Sequence, residues 1–172
     1  DVHATGLNRH VFPQIDDKQK KSMKPAKRHD TLVTMLDEMA ARHEHLLALQ
    51  RLEPDGLSRL TYLDLRAGAL AVCARLQSAG VKPGDRVVLS GSNHPAWTMA
   101  YFGILYAGAA AVPVDATMEP LPFTNVLLSS GAKVTIWDAG VERRCGVRSR
   151  ELVPEVRVLD LQAVTESSAA AH

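Results

Sequence analysis

Apolar, strand-like runs recur in this chain at near-constant intervals. They begin at Arg86, Ala110, Lys133 and Val156, so successive starts lie 24, 23 and 23 residues apart. Each gap holds a segment long enough for a helix. A parallel pair of strands needs a crossover of a dozen or more residues, usually helical. The regular spacing therefore predicts an α/β fold, a parallel sheet with helices on both faces, whose strands run near 86–90, 110–114, 133–137 and 156–161. Such sheets bind ligands in crevices outside the carboxyl ends of their strands.

The segments between and before these runs carry helix signals. Leu32, Val33, Leu36, Met39, Ala40, Leu46 and Leu47 recur at three- and four-residue steps, which predicts an amphipathic helix near 32–45 capped by Asp30 or Thr31. Extended stretches near 47–52 and 59–61 flank Pro54-Asp55-Gly56, strong turn chemistry, and read as a small hairpin. A helix from Tyr62 to Ala79 has the inner stripe Tyr62, Leu65, Ala69, Val72 and Leu76. Thr61 and Asp64 have nearly the spacing of a capping box, and Gly80 stops the helix. Further helices are expected near 94–107, capped by Asn93, and near 119–130, closed by Gly131. The first of these is apolar almost all round and so belongs in the interior. Residues 1–30 differ in kind. Their basic stretch, from Lys18 to Arg28, has no interleaved aromatic residue and is diluted by Asp16 and Asp17, so it reads as a solvated leader before a domain at 31–172.

Composition removes several function classes. With 46% hydrophobic and 23% charged residues and a net charge of +1, no global field draws in nucleic acid. No run of 18 apolar residues offers a transmembrane segment. Two cysteines in unrelated contexts, Cys73 and Cys145, make no disulfide framework and point to a reducing cytoplasm. The chain opens on Asp1, as a piece of something longer would. Catalytic patterns are missing: there is no phosphate loop and no dinucleotide fingerprint. His43-Glu44-His45 lacks the four-residue spacing of a helical zinc site and reads as a solvated helix end, which leaves no metal site. Ser90-Gly91-Ser92 is an incomplete nucleophile elbow, His94 reads as a cap-adjacent surface residue, and Cys73 falls in a core stripe, so no catalytic residue is assigned. Asp115, at the carboxyl end of a strand, is either a ligand contact or a cap for the following helix.

Six segments, in order, resemble a known family. They are Thr31–Leu36, Leu60–Leu65, Leu76–Val88 with its Gly-Val-Lys-Pro-Gly-Asp-Arg turn, Asn93–Trp97, Ala107–Asp115 with its Val-Pro-Val-Asp end, and Ser130–Val134. Together they resemble the amino-terminal portion of the adenylate-forming superfamily: acyl-CoA synthetases, peptide-synthetase adenylation domains and luciferases. The resemblance runs from about Thr31 to Asp138 and implies the first subdomain of such an enzyme. It implies ATP, Mg²⁺ and CoA for the parent enzyme and a small-molecule carboxylic acid as substrate. The remainder of the parent would be the chain's partner. In acyl-CoA-forming relatives the loop after the Val-Pro-Val strand lies near the nucleotide end of CoA, which here means Asp115, Ala116 and Thr117. The family's Ser/Thr/Gly-rich loop ending Pro-Lys-Gly is not in this sequence. The resemblance therefore implies a fatty-acyl-CoA synthetase piece that is inactive alone, binds none of these cofactors tightly, and self-associates through exposed apolar surface. Two other readings stand beside it: a free-standing, non-catalytic ligand- or protein-binding domain, and the start of an amino-acid or aryl-acid adenylation domain.

Overall fold

The computed structural model describes residues 29–53 and 56–166. The basic stretch from Lys18 to Arg28 and the turn residues Pro54 and Asp55 lie outside the described residues. In chain order the elements are α1 (Leu32–Arg42), β1 (Leu47–Glu53), β2 (Gly56–Thr61), α2 (Tyr62–Ser78), β3 (Arg86–Ser90), α3 (Pro95–Tyr106), β4 (Ala110–Val114), α4 (Pro120–Ser130), β5 (Val134–Trp137), α5 (Ala139–Leu152), β6 (Arg157–Asp160) and α6 (Ala163–Glu166). Strands β3 to β6 form one sheet in the order β4-β3-β5-β6, and every pairing is parallel. Val88, for instance, lies opposite Val112 on one side and Thr135 on the other. β1 and β2 make a separate antiparallel hairpin.

Side-chain alternation splits the core into two layers. Val87, Leu89, Val134 and Ile136 face α2 and α3, where Val72, Leu76, Ala100 and Ile104 meet them. Val88 and Trp137 face the opposite way, onto Phe123 and Leu127 of α4 and Val141 and Cys145 of α5. This placement follows from right-handed crossovers. The chain steps one way from β3 to β4 and the other way afterwards, so α3 lies on one face and α4 and α5 on the other. A third apolar cluster, Leu36, Leu65 and Met99 with Leu49 and Leu60 beside it, seats α1 and the hairpin on α2 and α3.

Element ends follow local chemistry. Thr31 caps α1, accepting from the Thr34 amide at 3.1 Å. Thr61 and Asp64 form the expected capping box on α2. α2 and α3 both close with a Gly in the left-handed region, Gly80 at φ 88° and Gly108 at φ 69°. In each case the next amide returns to the helix: Val81 to the Leu76 carbonyl at 3.0 Å and Ala109 to that of Ile104 at 3.1 Å. No residue of α3 is exposed, as its all-round apolarity requires. Pro113 sits within β4, where its missing amide is tolerated because β4 is an edge strand of this sheet.

Three expectations need correction. α1 stops at Arg42 because the chain turns at His43, so Leu46 and Leu47 leave the helical stripe, and Leu47 opens β1 opposite Thr61. Both leucines are exposed. Asn93 does not cap α3. His94 does, its Nδ1 accepting from the Ala96 amide at 3.0 Å. β5 and β6 each begin one residue later than the apolar runs suggest, at Val134 and Arg157.

Candidate ligand cleft at the carboxyl end of the sheet

Loops at the carboxyl ends of the strands could form two crevices. In a doubly wound sheet the usual ligand position is the point where the strand order reverses. Here that point lies between β3 and β5, and it is filled. Asp138, just past β5, accepts from the Ser92 amide at 2.7 Å with one carboxylate oxygen and from the Val141 amide at 2.9 Å with the other. It caps α5 and ties the loop after β3 to the loop after β5. Burial opposes ionisation of Asp138, but the amide hydrogen bonds outweigh it and hold the carboxyl below its ordinary range. Leu161 closes the rest: a Cβ on Gly91 would lie 2.6 Å from its Cδ2.

The opening lies one strand over. A cleft of about 570 Å³, within the usual range for small-molecule sites, lies between the loops after β3 and β4. Gly91, Ser92, Asn93 and Trp97 line one side, and Pro113, Val114, Asp115, Ala116 and Thr117 the other. The loop that carries Asp115, Ala116 and Thr117 thus forms a wall of this cleft. Asp115 does not cap α4, whose N-cap is Glu119 without a side-chain bond. Instead its Oδ1 accepts from the Thr117 amide at 2.7 Å and the Thr117 hydroxyl at 2.8 Å, closing the loop on itself. These bonds lower the Asp115 pKa and keep the carboxylate charged. Among the described residues no Lys or Arg lines the cleft.

Trp97 has no distinguishing mark in the sequence beyond its place in the Asn93–Trp97 segment. It is half-buried at the cleft wall and stacks on Tyr101 with ring centroids 5.6 Å apart and planes 8° off parallel. The other tryptophan, Trp137, is fully buried against Phe123 and donates to Glu142 at 2.9 Å.

The remaining candidates do not converge on the cleft. His94 stands beside it at the head of α3. Burial first, and then Arg51 on β1, lower its pKa. Cys73 and Cys145 are buried and free, and burial raises both thiol pKa values, which is the behaviour of inert core cysteines. His43 and His45 are exposed at the end of α1. Among the described residues no cluster of three His, Cys, Asp or Glu could hold a metal ion, and no helix is long and apolar enough to cross a membrane.

Known proteins resemble this chain in sequence and in fold. Residues 36–171 match the family model described as AMP-binding enzyme. A feruloyl-CoA synthase from Amycolatopsis sp. is 38% identical over 81 residues, 47% of this chain and 16% of that protein. A plipastatin synthase from Bacillus subtilis (strain 168) is 30% identical over 117 residues, 67% of this chain and 4% of that protein. Among solved structures, a Mycobacterium tuberculosis fatty acyl CoA synthetase superposes with a TM-score of 0.68 at 26% identity, covering 81% of this chain and 28% of that one. The chain thus spans a small part of the length of the relatives it matches. With the family model covering most of its residues and the parallel sheet in place, the chain belongs to the AMP-binding enzyme family, as the amino-terminal portion of an adenylate-forming enzyme.

Proposed function

We propose that this chain is the opening part of an ATP-dependent acid–thiol ligase of the acyl-CoA synthetase type. In the reaction of such a ligase a carboxylate oxygen attacks the α-phosphorus of ATP and pyrophosphate leaves. A thiol sulfur then attacks the acyl carbon, and AMP leaves. The chain would supply scaffold and part of the acceptor entrance, with Asp115, Ala116 and Thr117 near the nucleotide end of CoA. What carries the reading is the family match over residues 36–171, together with an open cleft at the end of β4 in the loop that the resemblance singles out. A fatty acid is the proposed substrate and a reducing cytoplasm the proposed compartment, in keeping with two buried free thiols.

The cleft residues do not fit a triphosphate with its Mg²⁺, since among the described residues they bring a single carboxylate and no cation. Adenylation needs positioned donors and cations around the phosphates. ATP–pyrophosphate exchange by the 172-residue chain with a panel of fatty and aromatic acids should stay at background. The complete reading frame should show acid-dependent exchange and consume CoA thiol. Exchange by the chain alone would overturn this placement of the active site. The relationship to plipastatin synthase supports a second reading, an adenylation domain that loads a carrier protein. That reading predicts exchange by the full protein without CoA consumption.

A further inference from the structure

We infer that a second, smaller pocket, between β1 and the head of α3, binds a single small oxyanion, a phosphate or a carboxylate, held by Arg51, His94, Asn93 and Thr98. The inference is independent of the proposed ligase reading. The pocket has a volume of about 110 Å³. A water takes ~30 Å³ in the liquid, so the space suits one small ion rather than a nucleotide. Asn93 lines this pocket and the larger cleft, and stands between them. Leu49 and Pro95 add apolar wall, and among the described residues no Asp or Glu lies in the lining.

The groups that meet there are donors. His94 Nδ1 accepts from the Ala96 amide at 3.0 Å, which fixes the tautomer: in the neutral ring the proton sits on Nε2, which then only donates. Arg51 brings a guanidinium, which has no acceptor. Its Nη1 lies 3.4 Å from Glu53 in a partly exposed pair, and the rest of the fork is uncommitted. Among the described residues the Asn93 and Thr98 side chains have no hydrogen-bond partner. The helix end itself offers little. Pro95 has no amide hydrogen, the Ala96 amide donates to the His94 ring, and the Trp97 amide returns to the His94 carbonyl at 2.9 Å. Selection therefore falls to side chains that β1 and the α3 head bring together. Electrostatics agree with the geometry. Burial lowers the His94 pKa, Arg51 lowers it further, and Glu53 opposes both. Arg51 thus projects positive potential onto the imidazole, and an oxyanion between the two groups is favoured and in turn favours the protonated ring.

The test is a titration of the 172-residue chain with inorganic phosphate, with acetate and, at matched ionic strength, with chloride, followed by ¹H–¹⁵N spectra of the His94 ring and the Arg51 Nε. His94→Asn assigns the ring signals. Phosphate and acetate should shift both groups saturably and chloride should not. Bound phosphate should also move the His94 titration midpoint to higher pH. Arg51→Gln should weaken phosphate about tenfold, the loss of a charge-assisted hydrogen bond. Arg51→Lys, which keeps the charge and loses the fork, should fall between. A purely structural Arg51 would leave the phosphate-dependent shift of His94 in place. Shifts that chloride reproduces, that never saturate, or that survive Arg51→Gln are charge screening and would overturn the site. The same titration on the complete reading frame separates two sources of the anion. Phosphate binding there identifies a free solute. Its loss, with the His94 midpoint already raised, identifies an Asp or Glu from the rest of the parent as the occupant. Its loss with the midpoint still low means a closed, empty pocket and would overturn the inference for the parent.

Discussion

At the scale of single residues, Asp138 does the most to shape the cleft without lining it. Its two oxygens hold the Ser92 and Val141 amides, so one side chain both caps α5 and fixes the loop that forms a cleft wall. Asp138→Ala should cost about 1–2 kcal/mol in urea unfolding, since a cap and a second acceptor vanish together. Asp138→Asn should cost less, because one amide oxygen can keep the cap but cannot serve both donors. His94 makes a pH-dependent contribution. Its Nδ1 must be unprotonated to accept from Ala96, and its folded pKa lies below the usual value. The unfolded chain thus binds more protons near that pH, so this contribution is full above about 6.5 and is lost as pH falls through the folded pKa. His94→Asn, a good cap that does not titrate, should flatten the dependence of the urea midpoint between about pH 7.5 and 5. An unchanged slope would remove His94 from the account. The sequence makes the start of α2 legible and not that of α3. Thr61 and Asp64 show their box through spacing. Asn93 and His94 are adjacent acceptors, and only the path of the loop decides which one meets the first amides.

At the scale of elements, α2 and α3 approach closely because both place glycine at the contact. A Cβ on Gly103 would fall 2.6 Å from Val72 Cβ and 2.8 Å from the Ala69 carbonyl oxygen, a backbone atom that cannot move aside. A Cβ on Gly68 would meet the Met99 thioether instead, at 2.5 Å from Sδ. Methionine is flexible. Gly103→Ala should therefore lower stability by about 1–3 kcal/mol, despite its gain in helix propensity, while Gly68→Ala should be milder. Thermal unfolding of both variants in parallel checks the order. The helix at 139–152 was the least legible element. The strand spacing asks for a helix there, but its buried face consists of Val141, Cys145, Gly146 and Ser149, which show no hydrophobic stripe. Asp138 and Trp137, just before the helix, secure its start: Asp138 caps it and Trp137 donates to Glu142. Within the helix, Glu142 also accepts from the two terminal guanidinium nitrogens of Arg150 at 2.7 and 2.8 Å.

At the scale of the whole molecule, large apolar side chains among the described residues remain exposed on several elements, the hairpin and the α4 and α5 helices among them. Leu46, Leu47, Leu52 and Leu57 are exposed on and beside the hairpin, with Leu52 at 81%. Leu121, Leu128 and Val147 are exposed on α4 and α5. Exposed apolar surface drives association where it is contiguous. Sedimentation velocity at roughly tens of micromolar should show self-association of the 172-residue chain, and Leu52→Lys with Leu57→Lys should reduce it. A clean monomer would mean that these leucines are too scattered to act as a patch.

What the sequence determined by itself is the periodic part of this protein. The parallel direction of β3 to β6, the inner stripe of α2, the burial of α3 and the glycine helix ends all follow from spacing, apolarity and the conformational freedom of Gly, which are read along the chain without any knowledge of which strands become neighbours. The place of the opening was decided only in three dimensions. The reversal point of the sheet is the expected ligand position, yet Asp138 and Leu161, 46 and 69 residues further along the chain than Ser92, fill it and leave the cleft beside β4 instead. Trp97 likewise became a wall of that cleft only when α3 docked on the sheet. A cavity is what the packed side chains leave empty, and that remainder depends on contacts between residues far apart in the chain.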